Sequence, residues 1–94
     1  MQYLLHTIAS MDAVLTAGID EALASEIRAE AARQRLAGTT IADYLGYTKQ
    51  TVSQKLNGRI NITVADLFAI AKLLHIPAAE IFRRAEESLG GQEK

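Results

Sequence analysis

Cysteine and tryptophan are absent from this sequence, and proline occurs once, as Pro77. Without cysteine the chain can form neither a disulfide framework nor a cysteine-based zinc site, which fits a reducing cytoplasm. No apolar run approaches the roughly 20 residues that span a membrane, and the N-terminal residues QYLLHTIA lack both a basic start and a cleavage signal. We therefore expect a cytoplasmic protein with no membrane association.

Catalytic and metal-binding patterns are also missing. The two histidines, His6 and His75, are far apart, and the sequence has no HExxH motif, phosphate-binding glycine loop or nucleophile elbow. We therefore expect no enzyme activity, no metal and no cofactor.

The 94 residues are 49% hydrophobic and 22% charged, which is the composition of one small globular domain.

The apolar residues recur at helical spacing, and no segment alternates apolar and polar residues as a half-buried strand does. This pattern predicts an all-α protein with five helices, at Asp20–Ala37, Thr40–Leu45, Thr48–Asn57, Val64–Leu74 and Ala78–Ser88. Thr39 and Thr40 are expected to cap the second helix, Thr48 the third and Thr63 the fourth. We assign residues 19–88 to one domain, residues 1–18 to an N-terminal extension and residues 89–94 to a flexible tail.

The stretch from Thr39 to Arg59, TTIADYLGYTKQTVSQKLNGR, has the spacing of a helix-turn-helix. A small residue, Ala42, allows two helices to cross closely. Gly46 follows four residues later and permits the positive φ of a tight turn, and Val52 lies six residues further on. A generic helical hairpin also favours a glycine between its helices, but alanine, glycine and valine at these offsets favour the helix-turn-helix.

Basic residues are concentrated around this stretch, although the net charge of the chain is −1. From Arg28 to Arg59 there are six basic and two acidic residues, a net charge of +4, while the rest of the chain has four basic and nine acidic residues, a net charge of −5. A stretch of 32 residues can be basic by chance. The alternative is a nucleic-acid-binding surface, for which the distribution of charge matters more than its sum.

One face of the third helix is polar. Val52 and Leu56 lie four residues apart and are expected to face the core, which at 100° per residue leaves polar residues on the opposite face. Such a face can simply be solvated. It can also read DNA, because glutamine pairs with adenine through both of its polar atoms, lysine donates to guanine, and the N-terminal end of a recognition helix reaches base edges. The residues expected to contact bases are Lys49, Gln50, Ser53 and Gln54.

The run IADYLGYTKQTVSQKLNGR, followed by TVADLFAIAKLLHIPAAEIF, resembles the lambda-repressor-like, Xre-type DNA-binding family. The resemblance covers roughly residues 26–82. It implies a five-helix bundle whose third helix reads the major groove, binding as a dimer to a two-fold operator, and a role in transcriptional regulation. Small members of the family include phage and prophage repressors and DNA-binding antitoxins.

Phosphate contacts would orient the protein and supply much of the salt-dependent affinity. Backbone N–H groups at the starts of the second and third helices can meet a phosphate. Two residues after the third helix match family positions near the DNA backbone. The residues expected to contact phosphates are Thr39, Thr40, Thr48, Asn57 and Arg59.

The chain departs from the family pattern near the recognition helix. Many members have a glutamine at the start of the second helix, which touches phosphate and braces the first recognition residue. The matching residue here is Gly38, so Lys49 lacks that brace. The position before Leu56 is often apolar, and here it is Lys55, which we expect to flank the recognition face. Tyr47 is expected to pack on the core rather than contact DNA.

Residues 1–18 precede the resembling region. An apolar stripe of Leu4, Ile8, Met11 and Leu15 is expected if this segment is helical, although YLLHTI could also be extended. The stripe would pack on the bundle or pair with its copy in a homodimer.

Two functions from different classes follow from these observations. The first is a sequence-specific double-stranded DNA-binding transcriptional regulator of phage or prophage repressor type, which binds operator DNA as a dimer with helix 48–57 in the major groove. The alternative is a DNA-binding antitoxin or protein-interaction module, in which the acidic C-terminal segment RRAEESLGGQEK serves a protein partner.

Overall fold

The fold consists of five helices in a computed structural model that describes the backbone of residues 2–92 and the side chains of residues 18–89. The helices are α1 (Gln2–Arg33), α2 (Gly38–Leu45), α3 (Lys49–Leu56), α4 (Val64–Leu74) and α5 (Ala78–Gln92). No strand occurs between residues 2 and 92, so the prediction of an all-α, five-helix bundle is confirmed. None of the helices in this part of the chain has the length and hydropathy needed to cross a membrane.

Helix α1 is longer at its start and shorter at its end than predicted. It begins at Gln2 rather than Asp20, so the extended alternative for residues 3–8 is wrong. Extending an existing helix costs less than starting a new one, and no proline interrupts this segment. The helix ends at Arg33 rather than Ala37, because Arg35 has a φ of 57° and the backbone N–H of Leu36 donates to the carbonyl of Ala31 at 2.8 Å.

Side chains before residue 18 lie outside the described residues. The predicted apolar stripe of Leu4, Ile8, Met11 and Leu15 therefore stays a prediction, as does its role in packing or dimerisation.

Helix α2 begins at Gly38, two residues earlier than predicted. Its N-cap is Ala37, which has extended backbone angles and no capping side chain. The backbone N–H groups of Thr40 and Ile41 donate to the carbonyl of Ala37 at 3.0 and 3.3 Å. Thr39 and Thr40 thus lie inside the first turn, and the prediction that they cap this helix is wrong.

Side-chain caps start the next two helices as predicted. The Thr48 hydroxyl accepts from the backbone N–H of Thr51 at 3.1 Å and begins α3. The Thr63 hydroxyl accepts from the backbone N–H of Asp66 at 3.0 Å, and the Asp66 carboxylate accepts from the backbone N–H of Thr63 at 3.1 Å. This reciprocal pair is a capping box at the start of α4.

The last two helices end at different kinds of position. Helix α4 ends at Leu74, and its C-cap, His75, has a φ of 61°. Helix α5 starts at Ala78 as predicted but continues past Ser88 to Gln92. Residues 93 and 94 lie outside the described residues, so the flexibility of the 89–94 tail stays a prediction.

The core lies where α1, α4 and α5 meet, with α2 and α3 packed beside them. Its largest fully buried side chains are Ile27, Ile41, Ile70, Leu74 and Ile81. Each contributes about 1.5–3 kcal/mol relative to an exposed position. Helices α1 and α5 run antiparallel, because Arg84 in the middle of α5 pairs with Glu30 near the end of α1, while Leu89, later in α5, lies against Gly18, earlier in α1.

Glu30 joins three of these helices. Its carboxylate accepts from Arg33 at 2.8 Å, from Arg84 at 3.0 Å and from Gln34 at 3.1 Å, and the amide of Gln34 also donates to the Leu74 carbonyl at 2.7 Å. The hydrogen bonds from Arg33, Gln34 and Arg84 lower the pKa of Glu30 to about 2. The end of α1 is thereby fixed to α5 and to the end of α4.

Candidate nucleic-acid interface

The turn between α2 and α3 has the geometry predicted for a helix-turn-helix. Gly46 ends α2 with a φ of 74°, and the backbone N–H of Tyr47 donates to the Ala42 carbonyl at 3.0 Å. A Cβ on Gly46 would meet no atom within 4 Å, so this position requires glycine for its backbone angle rather than for space. Ala42 is buried as expected for a residue at the crossing of the two helices.

Helix α3 has a buried side and an exposed side. Val52 is buried and Leu56 is half-buried against the core, as the spacing predicted. Among the residues expected to contact bases, Lys49, Gln50 and Ser53 are exposed and Gln54 is half-buried. The structure therefore leaves the predicted face open to a ligand, while the base contacts themselves stay a prediction.

The residues expected to contact phosphates lie at the start of α2 and at both ends of α3, and all five are exposed. Thr39 and Thr40 lie in the first turn of α2, where the backbone N–H of Thr40 already donates to the Ala37 carbonyl at 3.0 Å. The Thr48 hydroxyl is already engaged, since it caps α3 and also bonds to the Thr51 hydroxyl at 2.9 Å. A phosphate at Thr48 would therefore meet the backbone more readily than the hydroxyl.

Near the C-terminal end of α3, a hydrogen bond joins two residues that are expected to contact DNA, Asn57 and Ser53. The Asn57 amide donates to the Ser53 hydroxyl at 3.3 Å. Asn57 is the C-cap of α3, and Arg59 lies just beyond it. Asn57 can therefore orient Ser53 as well as approach the DNA backbone.

The prediction from the sequence for the position of Lys55 is wrong. It was expected to flank the recognition face, but it is buried on the side of α3 that faces α4. Its Nζ donates to Asp66 Oδ2 at 2.7 Å and to the Asn61 carbonyl at 2.9 Å. An apolar position can accept lysine here because both the charge and its hydrogen bonds are satisfied inside the protein.

Tyr47 forms a cluster with Lys55 and Asp66. Its ring is partly exposed rather than packed fully in the core, and its hydroxyl donates to Asp66 Oδ1 at 2.5 Å. Lys55 Nζ lies 5.2 Å from the centroid of the Tyr47 ring, within reach of a cation–π interaction. Sequence reasoning missed Asp66 because its partners are 11 and 19 residues away along the chain.

Hydrogen bonding decides the charge state of this cluster. Burial raises the pKa of the Asp66 carboxyl, but hydrogen bonds from Lys55, Tyr47 and Thr63 outweigh this effect and hold the pKa below its ordinary value. The hydrogen bond to Asp66 in turn raises the pKa of the Tyr47 phenol, with burial adding to the effect. The carboxylate is therefore ionised and the phenol neutral near pH 7.

Helix α3 is also held by α1. The Arg28 guanidinium donates to the Leu56 carbonyl at the end of α3 at 2.5 Å. Gly58 follows with a φ of 77°, and a Cβ there would lie 3.0 Å from Glu21 Cγ. A larger residue at position 58 would therefore be strained and would also press against α1.

Ion pairs reduce the positive charge that this region presents to a ligand. Lys55 is neutralised by Asp66, which lies outside residues 28–59, whereas Glu30, the partner of Arg33, is already counted in the net charge of that stretch. Lys49 and Arg59 remain exposed at the two ends of α3. The net charge of +4 counted from the sequence therefore overstates the positive charge available to DNA phosphates.

Two short helices joined through Gly46, with an exposed polar side on the second, define a DNA-binding helix-turn-helix regulator. Residues 30–81, more than half of the chain, match the helix-turn-helix family, and the chain belongs to this family in its lambda-repressor-like, Cro and Xre-type form.

One curated relative is an anhydro-N-acetylmuramic acid kinase of Bradyrhizobium diazoefficiens. It is 32% identical over 74 residues, which cover 79% of this chain and 20% of that protein. The chain therefore spans about a fifth of the length of the relative that it matches.

Proposed function

We propose that the protein is a sequence-specific transcriptional regulator of phage or prophage repressor type, which acts in the cytoplasm and binds operator DNA as a homodimer. The observation that carries this proposal is the exposed polar side of α3. On its opposite side, Val52 anchors the helix in the core. In this role α3 and its two caps, residues 48–57, enter the major groove.

Base recognition is assigned to four side chains. Gln50 is exposed in the first turn of α3 and can form two hydrogen bonds with adenine, and Lys49 beside it can donate to guanine. Ser53 and Gln54 lie one turn further along. Ser53 is preorganised by its bond from Asn57, which reduces the freedom lost on binding.

Phosphate binding is assigned to the two ends of α3 and the start of α2. The N-terminal end of α2, at Thr39 and Thr40, favours an anion, since helix N-termini carry partial positive charge. Thr48, Asn57 and Arg59 complete this set around α3. Contacts on both sides of the helix would fix its depth and direction in the groove.

A matched set of variants separates base contacts from phosphate contacts. Gln50→Ala should relax the preference for one base pair and cost about 1–3 kcal/mol on the preferred DNA alone. Arg59→Ala should weaken binding to all sequences alike and lower the salt slope by about 0.9 per protomer. Lys72→Ala, an exposed change on α4, is the control and should alter neither property. Equal losses on all sequences for Gln50→Ala would contradict the assignment.

Dimerisation is a separate part of the proposal, and residues 1–18 are our candidate for its contact. Sedimentation of the full chain should show a dimer, and substituting Ile8 and Met11 with glutamate should yield a monomer with the same helical content. An unchanged dimer in that variant would exclude this segment as the contact.

Catalysis has no part in the proposed function. Any 74-residue stretch of this 94-residue chain includes most of residues 30–81, so most of the part of this chain that is similar to the kinase is the helix-turn-helix. The other 80% of the kinase is not covered by this similarity. We accordingly propose a protein that binds DNA without acting as an enzyme and without a cofactor.

The second candidate is an antitoxin or another protein-interaction module on the same scaffold. An apolar groove of about 490 Å³ between α1, α4 and α5 favours it, because Val64 and Phe68 on its rim are 71% and 64% exposed. The acidic C-terminal segment supports it less, since Arg83 pairs with both Glu80 and Glu87. If a toxin-type protein is the partner, Phe68→Ser should abolish its binding and leave DNA binding intact.

A further inference from the structure

The carboxylate of Asp66 joins three parts of the helix-turn-helix. Its Oδ2 accepts from Lys55 Nζ at 2.7 Å and from the Thr63 backbone N–H at 3.1 Å, and its Oδ1 accepts from the Tyr47 hydroxyl at 2.5 Å. Tyr47 belongs to the turn before α3, Lys55 to the last turn of α3, and Asp66 to the first turn of α4. One side chain therefore connects the turn, the proposed recognition helix and the helix behind it.

This cluster has little freedom to move. The side chains of Lys55 and Asp66 are 9% and 4% exposed, and Lys55 is bound a second time by the Asn61 carbonyl. Asp66 is itself fixed by the capping box that begins α4. A charged hydrogen bond out of solvent is stronger and more directional than one at the surface.

The cluster is next to the residues proposed to read bases. Lys55 follows Gln54 directly, and Tyr47 precedes Lys49 by two residues. Helix α3 has only eight residues, about two turns, and Val52 is its one deeply buried apolar side chain. A short helix with a single apolar anchor needs further contacts to hold its orientation, and specific recognition requires placement to within about 0.5 Å.

We propose that Asp66 is a positioning residue of the DNA-binding surface, which sets the orientation of α3 through Lys55 and Tyr47 without itself contacting DNA. The inference rests on the proposed role of α3 as the recognition helix. Its consequence is that specificity depends on a buried carboxylate on α4, a helix that presents none of the proposed contact residues.

Amide hydrogen exchange tests the effect on α3 without any DNA. In Asp66→Asn the amides of α3 should exchange on the order of tenfold faster, whereas those of α1 and α5 should keep their wild-type rates. Asp43→Asn removes the same charge from an exposed position on α2 and is the matched control. Unchanged exchange in α3 of Asp66→Asn would overturn the inference.

Binding to selected and unrelated duplexes separates positioning from stability alone. Replacing the pair together, with Lys55→Met and Asp66→Leu, keeps the interior filled with apolar atoms but removes the directional bonds. We expect this double variant to keep a melting temperature within several degrees of the wild type, while the ratio of specific to non-specific affinity falls roughly tenfold, the scale of one base contact. A double variant with both the stability and the specificity ratio of the wild type would overturn the inference.

If Asp66→Asn does not fold, Tyr47→Phe replaces it in these tests. Tyr47→Phe removes only the hydroxyl that donates to Asp66. It should lower the specificity ratio several-fold and speed exchange at the start of α3. No change in either quantity would count against the cluster. If the wild-type chain selects no DNA sequence, the proposed function fails, whereas the exchange rates of α3 still decide the structural part of the inference.

Discussion

Breaking the buried pair of Lys55 and Asp66 should destabilise the fold far more than replacing both members. The two groups are 2.7 Å apart, with side chains 9% and 4% exposed. At an effective dielectric constant of about 20, two charges at this separation attract by about 6 kcal/mol. Removing two charges from water costs several kcal/mol for each ion, so the intact pair is close to neutral relative to an apolar pair.

The expected free energies of unfolding follow from this balance. Lys55→Met leaves a buried carboxylate with fewer donors, and Asp66→Leu leaves a buried ammonium whose remaining hydrogen bond is to the Asn61 carbonyl. Each single variant should lose about 3–5 kcal/mol. The double variant also loses the capping box and the Tyr47 bond, but it leaves no buried charge, and it should lie within about 1 kcal/mol of the wild type.

Urea unfolding at 25 °C and pH 7 measures all three variants on one scale. The exposed pair of Arg83 and Glu80 supplies a control, since the Arg83 side chain is 56% exposed. Arg83→Met should leave the free energy of unfolding close to that of the wild type, because exposed ion pairs contribute little. If the losses of the two single variants simply add in the double variant, the pair is not coupled and this reasoning is refuted.

Three further predictions concern the glycines, the acid stability and a strained helix end. Gly46→Ala places alanine at a φ of 74° and should cost about 1 kcal/mol. Gly58→Ala places it at 77° and should cost more, because its Cβ also presses on Glu21, so equal losses in urea unfolding would contradict the contact. The pKa of Glu30 is lowered from 4.5 to about 2, so the unfolded chain binds more protons in this window, and stability should be fully present above pH 4.5 and decline as the pH falls towards 2. Glu30→Gln should flatten this part of the stability profile, and an unchanged slope would exclude Glu30 as its source. His75→Gly removes a non-glycine residue from a φ of 61° and should raise the melting temperature by several degrees, whereas Lys72→Gly inside α4 should lower it.

The sequence predicted those features of the fold that depend on residues close together in the chain, such as helix caps and turns. Thr48 and Thr63 cap helices with their own hydroxyls, and Gly46 has the positive φ that glycine allows. Such features act over a few residues and are therefore readable from the sequence. The start of α2 was misplaced because its cap, Ala37, uses only backbone groups.

Longer-range contacts explain what the sequence did not reveal at the candidate site. Lys55 was expected on the surface because a lysine is rarely buried, and its burial depends on meeting Asp66 from another helix. The contact of Arg28 with the end of α3 has the same character, since 28 residues separate the partners. The exposed face of α3 could be predicted because helical periodicity alone determines it.

Selection from a random duplex library is the most direct test of the central claim that α3 reads a DNA sequence. The full chain should enrich one two-fold symmetric sequence at low and at moderate salt, and Gln50→Ala should enrich a relaxed version of it at one position in each half. Recovery of no common sequence by the wild-type chain at either salt concentration would contradict the account.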